Sequence, residues 1–428
     1  MFGFYIEQWK LIGHERKQFS RLNTYVCQGK KKLFGRQKEE AFLIYAATLG
    51  ELNAAREVIR TAQKRWPSCC LIILAGREQY INVYEEMYPE AVILRPLPPG
   101  QRVLEQLGRL INIRLIIFVE GPGLPGRFPV RMDLALPVYS LRKEIRLIIV
   151  NACLYNAPPA CRYDTTERFL FGALFSKAVD YWFVADQLFM EDFLRENIPA
   201  KKISIVGDVK FDAVFTDTHP LASEKLESIL NQVSSDKSPL IIAGSVMDVP
   251  EVRAVIAGWL KAREYFPDAR LIIAPRYVNE VSEMMKLYQL IEELGLRYTI
   301  RSKLVDQQYI ENLLVLDSFG ELPHFFKICD VAYAGSNHGV IEPMKFGKVV
   351  VTGPPELWKQ EYSTSYYLYN DMKDKQALIS CNTFEEIGEQ FVLILTSESL
   401  RANIKNRMNK AISGKKGACQ RIFDRLEN

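Results

Sequence analysis

Hydrophobic positions along the chain cluster into short, nearly continuous runs: Phe42–Ala46, Leu71–Ala75, Ala91–Leu94, Leu115–Val119, Arg146–Val150, Tyr181–Ala185 and Ile203–Val206. Runs of this length without polar alternation are what parallel strands covered on both faces require. Between them the apolar spacing lengthens to a helical period, as over Glu51–Trp66 and Gln101–Leu110. Strand and helix in alternation predict a doubly wound α/β sheet.

The rhythm stops from about Asp212 to Ser238, where the chain turns polar through Thr216, Asp217, Thr218, His219 and Pro220 and again through 234–238. It restarts with Leu240–Ala243, Arg270–Ala274, Leu313–Leu316, Val331–Ala334 and Val349–Thr352, which predict a second, smaller α/β domain. The expected division is a basic amphipathic N-terminal segment over 1–40, a Rossmann-like domain over 41–215, a linker over 216–238, a second Rossmann-like domain over 239–396 and a basic C-terminal helix over 397–428. Two such domains in tandem are expected to face a central cleft, because ligands of open α/β sheets bind where the strands end. A chain of 428 residues is long enough to give each domain its own core.

Charge changes the picture in one place. The formal net charge of +4 is too small for a dedicated nucleic-acid binder, so no nucleic-acid partner is expected. Near the N-terminus, however, Lys10, Arg16, Lys17, Arg21, Lys30, Lys31, Lys32, Arg36 and Lys38 follow one another with few acids between. Beside Phe2, Phe4, Tyr5, Trp9, Leu11 and Ile12 they read as a face that rests on anionic lipid, each basic group being worth roughly 1 kcal/mol near the surface. A solvated helix and loop is the plain alternative. No apolar run reaches the ~20 residues that span a bilayer, and no signal-peptide pattern is evident. The eight cysteines form no C-x-x-C pair and read as reduced cytoplasmic thiols. There is no D-x-D dyad, and His14, His219, His324 and His338 lack ligand spacing, so neither a metal site nor a cofactor is expected.

Five strand-to-helix turns can carry chemistry. Gly50 permits a tight turn after the first strong strand, and Glu51 then opens a helix. A carboxylate there is either a general base toward a hydroxyl or an ordinary acidic residue at a helix N-terminus. Gly244–Ser245 is a small-residue turn before a helix, suited to an anion. Arg276 ends the next strand, with a planar fork that suits phosphate or carboxylate, or simply lies on a surface loop. Gly320 and the amides after it stand at a helix N-terminus, placed to face a nucleotide phosphate; the plain alternative is a capping turn, since Ser318 and Glu321 have the spacing of a capping box. Gly335 to Pro343 follows a strand and opens a helix, with Glu342 placed to accept from ribose hydroxyls and His338 to meet phosphate or sugar.

In this order the motifs resemble the 3-deoxy-manno-octulosonate (Kdo) transferases of lipopolysaccharide assembly. The stretches that carry the resemblance are AATLGELNAA (46–55), IIFVEG (116–121), IIVNACL (148–154), VGDVKFD (206–212), AGS (243–245), APR (274–276), DSFGELPHFFKICDVAYAGS (317–336) and HGVIEPMKFGKVVVTGP (338–354). The resemblance implies the GT-B fold and an inverting, metal-independent transfer of Kdo from CMP-Kdo to a lipid A precursor, at the cytoplasmic face of the inner membrane. It makes Glu51 the general base. It places Ser245, Arg276, Gly320, Glu321, His338 and Glu342 on donor-binding motifs, and Glu120 and Lys210 in further matched motifs. The chain departs from the family pattern at Pro122, where a second acid is usual, and at Cys153, where an Arg is usual. Gly339, Tyr277 and Val246–Met247 also depart from it. The alternatives are a non-catalytic relative that binds nucleotide-sugar or an assembly partner, and a GT-B transferase with a different nucleotide-sugar.

Overall fold

The computed structural model describes residues 40–76, 80–94, 101–124, 132, 135–154, 162–216, 223–235, 238–305, 308–335, 339–354 and 364–427. The basic N-terminal segment and His338 therefore lie outside the described residues. The chain forms two compact units. The first takes in the described residues up to Thr216, together with Thr364 and those from Lys415 onward; the second takes in the rest.

Unit 1 is built on β1 (Glu40–Ala46), β2 (Cys70–Ala75), β3 (Val92–Leu94), β4 (Asn112–Val119), β5 (Arg146–Val150), β6 (Tyr181–Val184) and β7 (Ile203–Ile205). They form one parallel sheet in the order β3-β2-β1-β4-β5-β6-β7. The order reverses between β1 and β4, which is where an open α/β sheet leaves a crevice beyond its strand ends. Ile44, Ile117 and Ile148 are fully buried, as strands covered on both faces demand. The helix Leu49–Arg65 lays Leu52, Ala55, Val58, Ile59 and Ala62 on the sheet. Thr48 caps that helix, and it ends at Trp66, one residue before Pro67.

Unit 2 repeats the plan with β8 (Leu240–Val246), β9 (Arg270–Pro275), β10 (Thr299–Ile300), β11 (Leu313–Val315), β12 (Val331–Ala334), β13 (Val349–Thr352) and β14 (Ile379–Ser380). Its order is β10-β11-β9-β8-β12-β13-β14, again parallel, and it reverses between β8 and β12. With seven strands this sheet equals that of unit 1, where the sequence pattern suggested a smaller one. The difference is β10 and β14, two residues each and too short to leave a hydrophobic signature.

Two parts of the expected division change. The stretch read as a linker holds the helix Glu224–Ser234, whose Leu226, Ile229 and Val233 pack into the core of unit 2. The C-terminal stretch read as one helix is two, Glu398–Ile412 and Ala418–Glu427, broken at Gly414 and Gly417 with φ of 84° and 88°. The last helix returns to unit 1, where Ala418, Cys419, Ile422, Phe423 and Leu426 complete the hydrophobic core. Burial of a large side chain such as Phe423 contributes about 2 kcal/mol. The Asp212 carboxylate holds that helix by its N-terminus, accepting from Gly417 N at 2.6 Å and Cys419 N at 2.7 Å.

Asp212→Ala should therefore lower the unfolding free energy of unit 1 by about 3 kcal/mol, since two backbone donors lose a charged acceptor. Urea unfolding followed by Trp66 fluorescence checks this. An unchanged midpoint would mean that the last helix is not held there.

Candidate functional site

The residues singled out from the sequence gather at the C-terminal ends of the two sheets, in two separate groups. In unit 1, Glu51 follows β1 and Glu120 follows β4, the strands on either side of the order reversal. The two strands run in register, Tyr45 beside Phe118 with rings stacked 4.6 Å apart, so their ends lie at the same height. Glu120 sits at φ 52° and Asn151, after β5, at φ 50°. A left-handed backbone at a residue other than glycine costs about 1–3 kcal/mol and clusters where side chains must be aimed.

Those side chains meet in a buried network. Lys210 Nζ stands 2.7 Å from Glu120 Oε1. Asn151 Nδ2 donates to Asp208 Oδ1 at 2.5 Å and to Glu120 Oε1 at 3.4 Å, while its Oδ1 accepts from Val209 N at 3.0 Å. Asp208 also accepts from Lys210 N at 2.8 Å, at the start of the helix Val209–Thr216. Burial disfavours the Lys210 ammonium, but Glu120 and then Asp208 outweigh it and raise its pKa. Burial, only partly offset by Lys210, raises Asp208. Lys210 is a partly buried residue of unit 1.

Glu51 is 5% exposed. Its amide donates to Thr48 Oγ1 at 3.2 Å and its Oε2 accepts from Ala47 N at 2.5 Å. The same device recurs at Glu251, which accepts from Met247 N at 2.8 Å behind Asp248, and at Glu386, which accepts from Asn382 N at 2.7 Å behind Thr383. Capping alone therefore does not distinguish Glu51. Its electrostatic surroundings do. Burial first, and the charge of Glu120 second, lift its carboxyl from the usual 4.5 to about 7, against the backbone hydrogen bonds that pull it down. A carboxyl of that basicity takes and releases protons near neutrality.

In unit 2, Ser245 bulges out of β8 at φ 59°, breaking the register with β9. The end of β12 closes against it: a Cβ on Gly335 would lie 2.5 Å from the Ser245 carbonyl carbon, so only glycine fits. Arg276 leaves β9 with its side chain exposed and its amide donating to Val246 O at 2.9 Å. Gly320 follows β11 at φ 79°, with open space where a side chain would begin. Glu342 lies half-buried in the first turn of the helix Ile341–Lys345. Ser245, Arg276, Gly320 and Glu342 thus share one edge of the sheet. Glu321 is different. Both its oxygens are engaged by Arg301, at 2.8 and 2.6 Å, and Ser318 donates to it as well. The capping box read from the sequence is absent, because Glu321 precedes the helix Leu322–Ile328 and binds a guanidinium instead.

Among the described residues no group of three or more His, Cys, Asp and Glu side chains is placed to hold a metal ion. None of the described helices is long and apolar enough to cross a membrane. Sequence reasoning gave no role to Asn151, Asp208, Glu251 and Tyr333. Asn151, Asp208 and Tyr333 lie in quoted motifs, while Glu251 lies outside them.

No protein-family model matches the chain. A 3-deoxy-D-manno-octulosonic acid transferase of Haemophilus influenzae is 22% identical over 91% of this chain and 87% of its own length. One from Chlamydia trachomatis serovar A is 22% identical over 96% of this chain and 86% of its own. Among solved structures, the UDP-GlcNAc 2-epimerase of Neisseria meningitidis, bound to UDP-GlcNAc, superposes with a TM-score of 0.59 at 13% identity, over 91% of this chain and 100% of that one. That likeness concerns the fold alone. The chain is a divergent relative of the 3-deoxy-D-manno-octulosonic acid transferases, with the paired Rossmann-like units of the GT-B class.

Two predictions follow from the charges of unit 1. Glu120→Gln removes the charge that is the second cause of the raised proton affinity of Glu51 and leaves burial, the first. Carboxyl ¹³C NMR should show Glu51 titrating below its parent value but above the usual 4.5. A Glu51 pKa raised above its unfolded value gives stability that is present below about pH 4.5 and is lost as pH rises through about 7. Above that range the ionised carboxyl costs about 3 kcal/mol. Glu51→Gln should then unfold at a higher temperature than the parent at pH 8 but not at pH 4, as calorimetry at the two values would record.

Proposed function

We propose that this chain is an inverting, metal-independent glycosyltransferase that moves Kdo from CMP-Kdo to a lipid A precursor. The observation that carries the reading is the buried Glu51 carboxyl, poised near neutrality at the order reversal of unit 1. The names borne by relatives that align along nearly the whole chain support the transferred sugar.

In this reading Glu51 takes the proton of the acceptor hydroxyl as its oxygen attacks the anomeric carbon of Kdo. Attack from the side opposite CMP inverts the configuration. The C–O bond to the phosphate breaks with its electron pair, and the charge left on CMP is met by Arg276, Ser245 and the amides at the N-terminus of the helix Val249–Tyr265. Glu342 accepts from the ribose hydroxyls, with His338 beside it in sequence. Glu321 supports the donor loop through Arg301 rather than touching the nucleotide. Lys210 pairs with Glu120 beside it. No cofactor beyond the donor enters. The basic stretch Lys10–Lys38 rests on the cytoplasmic face of the inner membrane, where the acceptor lies.

A non-catalytic relative is the second reading. It is favoured by Cys153, fully buried where the family pattern carries an Arg.

The test is transfer from CMP-Kdo, generated in place, to a tetra-acylated lipid A precursor, read as mass gain in the lipid. Glu51→Gln should lower kcat by about 10²–10⁴-fold with CMP affinity retained. The parent rate should rise with pH and level off above about 7, the range in which Glu51 ionises. CMP binding without mass gain would favour the second reading. A flat pH profile with an active Glu51→Gln would remove Glu51 as the base.

A further inference from the structure

β10 adds only Thr299 and Ile300 to the sheet of unit 2. Its parallel register, Thr299 beside Leu314 and Ile300 beside Val315, brings the next two residues, Arg301 and Ser302, to the level of the loop that follows β11. There the two neighbours meet two carboxylates. Ser302 gives Asp317 both of its donors, N to Oδ1 at 2.7 Å and Oγ to Oδ2 at 2.5 Å. Arg301 gives Glu321 its planar fork, Nε to Oε2 at 2.8 Å and Nη2 to Oε1 at 2.6 Å. Arg301 is buried, and a two-pronged match of this kind fixes orientation as well as charge. The loop Asp317–Glu321 is thus pinned at its first and last residues by consecutive residues of one short turn, Arg301–Lys303.

Between the pins the chain has little freedom. Ser318 turns inward and donates to Glu321 Oε2 at 2.5 Å. Gly320 takes φ 79°, which glycine adopts without strain. The residue between them, Phe319, is 58% exposed. A loop held by carboxylates at both ends therefore carries a large apolar ring in water, and such a ring offers a flat π face to another flat group. The neighbouring strand indicates which group. β11 lies beside β9 with Val315 opposite Ile273, so the loop after β11 begins next to the end of β9, where Arg276 stands exposed. A guanidinium for an anion and a ring for a flat group, at adjacent strand ends, match the two parts of a nucleoside phosphate.

We propose that Arg301 and Ser302 clamp the loop Asp317–Glu321, and that the clamped loop presents Phe319 as the face on which the base of a nucleoside monophosphate stacks. Phe319 touches the ligand. Arg301 and Ser302 are positioning residues that act through it. The proposal rests on the reading of unit 2 as the donor unit and names the side chain that meets the base.

The test titrates the full-length parent and its variants calorimetrically with CMP and with ribose 5-phosphate, which has the sugar and phosphate but no base. Phe319→Ala should bind CMP about tenfold more weakly, the loss of one base–ring stack, and ribose 5-phosphate as the parent does. Phe319→Tyr keeps the face and should bind CMP like the parent. Phe319 is exposed, so its replacement leaves the core intact. Arg301→Ala should weaken CMP to a similar degree, and adding it to Phe319→Ala should cost nothing further, because the two residues act as one unit. Asp317→Ala frees the other end of the loop and should behave as Arg301→Ala does, which keeps the clamp testable if one of the two fails to fold. ¹⁵N relaxation should find the Phe319 amide as rigid as the strands in the parent and loose in either clamp variant. CMP bound at full strength by Phe319→Ala, or CMP and ribose 5-phosphate weakened alike, overturns the stacking face while the donor reading stands. A rigid Phe319 amide in the folded clamp variants, or additive losses in the double variant, overturns the clamp. A parent that binds UMP or AMP through Phe319 but not CMP keeps the proposal and overturns the CMP donor. A parent that binds none of the three nucleotides overturns both.

Discussion

The contact between Lys210 and Glu120 organises the interior of unit 1. Glu51, Glu120 and Asp208 bring three buried carboxyls together, and Lys210, partly buried, brings one ammonium. Unpaired charge cannot remain there, so the protein either pairs it or protonates it. Lys210 pairs with Glu120, Asn151 bridges Glu120 to Asp208, and burial first, with the charge of Glu120 behind it, raises the proton affinity of Asp208 and Glu51. A base tuned to neutrality is thus a carboxyl that burial leaves without a cation of its own.

The two units use one local device for different ends. A capping residue followed three positions later by a glutamate recurs as Thr48–Glu51, Asp248–Glu251 and Thr383–Glu386, each glutamate turning back to the amide just before the cap. The backbone solution is the same and the chemistry is not. Glu51 has a second carboxylate across the sheet reversal, Glu251 has a tyrosine, and Glu386 lies nearer solvent. Role is set by what the neighbouring strand delivers to the end of the helix.

This explains what could be read from the sequence. Valine, isoleucine and leucine runs marked twelve strands, since burial on both faces demands them; Thr299–Ile300 and Ile379–Ser380 left no trace because two residues carry no period. Glu51, Ser245 and Arg276 were visible because each stands close to the end of an apolar strand run. Their partners were not. Glu120 reaches Glu51 only through the reversal of strand order, and Asp212 meets Gly417 across 205 residues. Glu321 had the spacing of a cap, but a bidentate guanidinium offers a carboxylate more than a single amide does, and Arg301 took it.

The placement of the last helix bears on how the chain is made. Domains usually fold in turn as they leave the ribosome, the N-terminal one first. Here the core of unit 1 lacks Ile422, Phe423 and Leu426 until the residues after unit 2 are synthesised, and Asp212 waits through the whole of unit 2 for the amides it caps. Unit 2 has all its strands and can close first. The half that emerges first is the half that finishes last, and a ribosome that stops early releases a chain whose first unit carries an open apolar groove.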